Sequence, residues 1–174
     1  MLTNLKKIWF IPALIILQVS CQKDASEQIP YVIVNLQLGI YSELSQLGVG
    51  MVATITPDTT HSNLLSSSYS VLDFHSKNLP NIYLNQRVNG NGIILYRKDF
   101  LEYHAFDLTC PYRAKEDYCA LDVDGRGTLP ICPCCKSVFL LDDDGLPSSD
   151  SKATSPLKEY PIQIINDATL LITN

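Results

Sequence analysis

The chain has 174 residues, enough for one ordinary domain, with 46% apolar residues and 18% charged residues. Its net charge is −5 and its Lys and Arg are scattered, which argues against nucleic-acid binding, because phosphate contacts need clustered cations. Neither a Ser-His-Asp constellation nor a phosphate-binding glycine loop is visible, so an enzyme is not expected; at most the chain is an electron-transfer component.

Residues 1–20 read as a signal peptide. "MLTNLKK" is a basic n-region, "IWFIPALIILQV" an apolar h-region, and "SC" closes it at Ser20 and Cys21. The apolar run falls short of the about 20 residues that span a bilayer. The cysteine behind a small residue resembles a bacterial lipobox, with Gln18 where an aliphatic residue is usual. That resemblance implies lipidation of Cys21 and an anchor in the cell envelope, at the outer membrane, facing the periplasm or the cell exterior. Without residues 1–20, which carry two lysines and no acid, 11 basic and 18 acidic residues remain, net −7. Residues 21–29, "CQKDASEQI", read as a polar tether that holds the domain off the membrane. The Lys-Asp pair beside Cys21 resembles the surface-export signals of Bacteroidetes lipoproteins.

Residues 30–174 carry β patterning. "YVIVNLQLGI" puts Val32, Val34, Leu36 and Leu38 on one face at period two, a half-buried strand. "MVATITP" reads as a strand, and "DTTHSNLLSSSYS" as a Ser/Thr-rich excursion or long hairpin loop, so 41–80 includes an expected insertion. "NIYLNQRVNGNGIILYRK" predicts a hairpin around Asn89-Gly90-Asn91-Gly92, since Asn-Gly supplies the positive φ of tight hairpin turns. "EYHAFDLT" is a further strand, "TLPIC" and "SVFLL" flank a cysteine cluster, and "PIQIIN" with "TLLIT" predicts a closing hairpin. Nothing keeps a helical period. The expectation is an all-β fold, a small antiparallel sandwich or barrel with two cysteine-bearing loops.

Those loops are "DLTCPYRAKEDYCALD", with Cys110 and Cys119, and "LPICPCCKSVFLLDDDG", with Cys132, Cys134 and Cys135. Together with the downstream "SPLKEYPIQI", they resemble a Rieske domain over residues 82–174, and more narrowly a divergent Rieske-like group of Bacteroidetes lipoproteins. The resemblance implies a 2Fe-2S cluster and electron transfer to a redox partner. By position it implies Cys110 and Cys132 as the cysteine ligands, with Tyr112 and Cys135 standing where the family has histidines, and Ser137 as a hydrogen-bond donor to the cluster. Lys136 stands in place of a loop glycine, and "DSKA" in place of the Gly-Pro-Ala stretch that covers the cluster. The extra disulfide of some family members implies a Cys119–Cys134 staple.

The residues leave three readings open. A thiolate and a phenolate in place of two histidines make the cluster more anionic and lower its potential. A cluster assembled in the cytoplasm must also leave in a folded protein through the twin-arginine route, and "MLTNLKK" has no arginine. Zinc suits three thiolates and one further ligand, and Cys132 and Cys135 have Cys-x-x-Cys spacing. A cofactor-less, disulfide-stapled binding or scaffold module is the third reading, as expected of a small domain in an oxidising compartment. His61, His75 and His104 read as surface or strand residues rather than ligands. "DDDG" at 142–145 reads as an acidic turn rather than a calcium loop.

Overall fold

The computed structural model describes residues 29–58, 69–75, 78–123 and 128–174. The segment read as a signal peptide, Cys21, nearly all of the segment read as a tether, and His61 lie outside the described residues. Those described fall into antiparallel strands with one four-residue α-helical turn and one 3₁₀ turn, so the chain is all-β. Among them no helix is long and apolar enough to cross a membrane.

Six strands form the central sheet. They are β2 (Val52–Pro57), β3 (Ser70–Asp73), β4 (Ile82–Leu84), β5 (Ile93–Arg97) and β6 (Tyr103–Asp107), joined at the edge by β9 (Glu159–Tyr160); the spatial order is β4-β3-β2-β5-β6-β9. A second sheet holds β1 (Asn35–Gly39), β10 (Ile162–Ile165) and β11 (Thr169–Thr173) in the order β1-β11-β10. β7 (Phe139–Leu140) and β8 (Leu146–Pro147) form a small ribbon.

The period-two reading of the first strand holds: Leu36 and Leu38 are fully buried while Asn35 and Gln37 face out. Leu36 and Leu38 pair with Ile172 and Leu170 of β11. These four join Ala53, Ile55, Leu72, Ile93 and Leu95 of the central sheet in one aliphatic cluster, which makes a sandwich of the two sheets. The closing hairpin forms as expected, with Asn166 and Asp167 at φ 51° and 53° in its turn.

The other face of the central sheet is buried too. Val52, Ile94, Tyr96 and Phe106 alternate with the residues of the first cluster and pack against both cysteine loops. Burial on both faces is why β5 reads as an unbroken apolar run, "IILY", rather than an alternating one.

The hairpin predicted around Asn89–Gly92 does not form. β4 pairs with β3, while β5 pairs with β2 and β6. Asn-Gly supplies a turn here, with Gly90 and Gly92 at φ 71° and 117°, but the partner of β5 is decided by which strand offers matching apolar residues, and β2 does so on both faces. Gly92 has a second reason to be glycine: a Cβ there would lie 2.4 Å from the Ile55 carbonyl oxygen. Of residues 41–80, Leu44, Leu47, Phe74 and strands β2 and β3 belong to the first cluster; β2 and β3 pair as a long hairpin whose loop falls mostly outside the described residues.

Candidate metal centre

The first cysteine loop leaves β6. Asp107, nearly fully buried, accepts from the Thr109 amide at 2.8 Å and from the Tyr160 hydroxyl at 2.5 Å. Burial first, then Asp107, push the Tyr160 phenol well above its usual range, so Tyr160 keeps the proton it donates to Asp107. The chain then passes Cys110 and makes a single helical turn, α1 (Ala114–Asp117), flanked by Arg113 and Tyr118 in left-handed conformation at φ 51° and 43°. It returns at Cys119, whose carbonyl accepts from the Cys110 amide at 2.9 Å. Asn91 latches the loop from outside, its side-chain amide donating to Thr109 Oγ1 at 3.0 Å and to the Tyr118 carbonyl at 3.2 Å.

The second loop is a tight turn between Ile131 and Val138, which bridge each other. The Cys132 amide donates to the Ser137 carbonyl and the Lys136 amide to the Cys132 carbonyl, each at 2.8 Å. Lys136 closes the turn in left-handed conformation, φ 65°. The stretch "DSKA" clamps it from the far side: Ser151 Oγ bonds both polar backbone groups of Val138, and the Ala153 amide donates to Ser137 Oγ at 2.9 Å.

A disulfide joins Cys119 to Cys134 across the two loops, the pairing that the sequence resemblance implies. The other three cysteines among the described residues are free thiols, buried at 0%, 1% and 5% exposure for Cys110, Cys132 and Cys135. Their sulfurs lie within 4.8 Å of one another, and Cys110 Sγ to Cys135 Sγ is 3.7 Å. Tyr112 packs against the same cluster, half-buried, and its amide faces the Cys110 sulfur. Ser137 Oγ is 3.1 Å from Cys135 Sγ. The Cys135 thiol donates to that hydroxyl, which also accepts from the Ala153 amide.

The environment separates two of the thiols. Burial pushes the Cys110 thiol far up. Burial also acts to raise Cys135, but the Ser137 hydroxyl and amide and the two neighbouring thiols outweigh it and bring Cys135 below the ordinary thiol value. Of these two thiols, Cys135 is the one that ionises more readily.

The two described histidines are not among the residues grouped with the sulfurs. His104 bonds Glu159 at 2.8 Å and Glu102 at 3.2 Å on β6, and His75 Nε2 is 2.8 Å from Thr54 Oγ1. The acidic run 142–145 forms a 3₁₀ turn over Leu141–Asp143, with Asp142 accepting from the Tyr96 hydroxyl and Asp144 3.8 Å from Lys98. Sequence reasoning did not find Asn91, Asp107, Ala153 or Tyr160 as supports of the loops. Asn91 had the one available signal, its place in a glycine-flanked turn that no hairpin uses.

No family model matches the chain, and no curated protein matches it. Among solved structures it is similar to a crystal structure assigned as the small subunit of an NADH-dependent nitrite reductase from Mycobacterium tuberculosis. The identity is 16% and the TM-score 0.36, over 83% of this chain and 97% of that one.

Proposed function

We propose that this chain is an envelope lipoprotein, anchored through Cys21, whose Rieske-like β domain holds one thiophilic metal ion on Cys110, Cys132 and Cys135. The observation that carries this is the spacing of the three sulfurs. Thiolates about 2.3 Å from one tetrahedral ion lie about 3.8 Å from each other, and the Cys110–Cys135 separation is 3.7 Å with the third sulfur inside 4.8 Å. The 2Fe-2S cluster implied by the resemblance suits these residues less well. It would set Cys110 and Cys135 on different irons, yet their sulfurs are in contact, with no room for a two-iron core between them. No histidine stands at the sulfurs among the described residues.

Zinc is the ion that best matches this donor set. Three buried thiolates with Tyr112 beside them make a closed site, the type that contributes to folding rather than to catalysis. In this reading the ion supplies a second staple next to the Cys119–Cys134 disulfide, and the domain serves as a binding or scaffold module at the membrane. Electron transfer is the second reading, favoured by one observation: Pro133, Cys134 and Lys136 are exposed around the buried sulfurs, so iron at this place would lie just beneath a surface a redox partner can reach.

The test is the metal and inorganic sulfide content of full-length protein purified from its native envelope. One zinc per chain and no inorganic sulfide is the expected result. One iron per chain moves the assignment to the second reading. Two irons with two sulfides, or no metal under any loading condition, overturns the single-ion site. Labelling with a radioactive fatty acid tests the anchor separately, and wild-type protein that takes up no label removes it.

A further inference from the structure

The sulfur atoms form two overlapping groups, not one. Cys110, Cys132 and Cys135 lie within 4.8 Å of one another, and so do Cys119, Cys132 and Cys134. Cys132 belongs to both, and the second group contains the disulfide. One end of this run is exposed at Cys134; the other is buried at Cys110 and Cys135. We propose that the five sulfurs are a single thiol–disulfide exchange chain, in which Cys132 passes the disulfide between the surface pair and the buried triad.

The steps balance without an outside oxidant. The Cys132 sulfur, within 4.8 Å of Cys119 Sγ, attacks it and gives up its proton. A Cys119–Cys132 bond forms, the Cys119–Cys134 bond breaks, and Cys134 leaves as a thiolate that takes up a proton at the surface. Cys110 or Cys135 then attacks Cys132 Sγ in the same way and releases Cys119 as a thiol. Two triad thiols have been oxidised and two thiols of the former staple have been generated, with two protons given up and two taken. Exchange proceeds through such mixed disulfides and depends on access, and here each sulfur has its next partner already in place. Two consequences go beyond the ion site. An inner disulfide leaves a single thiol in the triad, so it and a bound ion exclude each other. The exposed Cys134 thiol it generates is free to react with the disulfide of another protein or small molecule.

The experiment uses the full chain, stripped of metal with a chelator and held at neutral pH without oxygen or reductant. Samples are quenched in acid, labelled with a maleimide, digested and sequenced by tandem mass spectrometry. In wild type, label should appear on Cys119 and Cys134 while two of Cys110, Cys132 and Cys135 lose it in equal amount. In Cys132→Ser, Cys119 and Cys134 should stay unlabelled and Cys110 and Cys135 fully labelled. Excess zinc chloride added to wild type should drive label off Cys119 and Cys134 again. Wild type that labels only the triad at all times overturns the exchange, whether or not Cys132→Ser folds and whether or not zinc binds. Zinc that binds but leaves the exchanged pattern unchanged overturns the exclusion between ion and inner disulfide. A chain that binds no zinc yet labels Cys119 and Cys134 keeps the exchange and removes only the ion site.

Discussion

The two faces of the central sheet are buried by different means. On one face, Ala53, Ile55, Ile93 and Leu95 meet Leu36, Leu38, Leu170 and Ile172 of the second sheet. The contacts there are mostly aliphatic against aliphatic, with Phe74, Tyr103 and Tyr160 in the same cluster, and many residues share them. On the other face, Val52, Ile94, Tyr96 and Phe106 meet two loops that have little regular structure. Those loops are held by bonds made once each: a disulfide, the Ser137–Ala153 clamp, the Asn91 latch and the Asp107–Tyr160 pair. The first face carries stability that is distributed. The second carries geometry that is local, with three non-glycine residues, Arg113, Tyr118 and Lys136, in left-handed conformation around the sulfurs. Strain of that kind persists only where the surroundings fix it, and it gathers at working sites.

The contrast is broken most severely by cutting once on each side. Ile55, fully buried between Leu72 of β3 and Ile93 of β5, should cost about 2–5 kcal/mol when truncated in Ile55→Ala, the range for deleting a buried aliphatic side chain. Cys134→Ser opens a staple across 15 residues and should cost about 3 kcal/mol by the loop-entropy relation. Similar totals should hide different losses. Measured by denaturant unfolding and by zinc titration of the folded protein, Ile55→Ala should keep wild-type zinc affinity, and Cys134→Ser should weaken it. Equal zinc affinities in the two variants would remove the distinction between the faces.

A smaller effect sharpens the boundary between them. Tyr96 comes from β5, and its hydroxyl donates to Asp142 in the turn behind the second loop. Burial first, then Asp142, raise the Tyr96 phenol to about 12. The folded pKa stands above the unfolded value near 10. The contribution is therefore complete below about pH 10 and fades as pH rises towards about 12. Tyr96→Phe should lose about 1 kcal/mol at neutral pH, the worth of one hydrogen bond, and should fall less steeply than wild type between about pH 10 and 12. Parallel declines in the two proteins would show that this tie does not link sheet and loop.

How much of this was legible follows the same division. Period-two alternation marked β1, and apolar runs bounded by turn residues marked β2, β6 and the β10–β11 hairpin, because repeated burial leaves a repeated trace. It failed at β4 and β5, where a local turn signal was taken to decide a pairing that β2 decides through both of its faces. The cysteines stood out by residue type, and the resemblance linked Cys119 to Cys134. The supports of the loops left no trace. Ser137 and Ala153 are 16 residues apart, Asn91 and Thr109 18, and Asp107 and Tyr160 53. Each is a single contact between common residue types, with no period for a sequence to display.

Lys136 gives the finest test of the comparison. It stands where the resemblance leads one to expect glycine, and its backbone has the conformation that glycine favours, φ 65°. A lysine pays about 1–2 kcal/mol for that region, and glycine would return about 0.5–1 kcal/mol as extra freedom in the unfolded chain. Lys136→Gly should therefore stabilise the protein by about 0.5–1 kcal/mol, seen as a small rise in the denaturant midpoint. Its side chain is exposed, and the turn is already fixed by the Cys132 and Lys136 amide bonds, so zinc affinity and the positions of the sulfurs should not change. If the substitution lowers stability instead, the lysine side chain is holding the loop by a contact of its own, and the second face depends on more than bonds to its backbone and sulfurs.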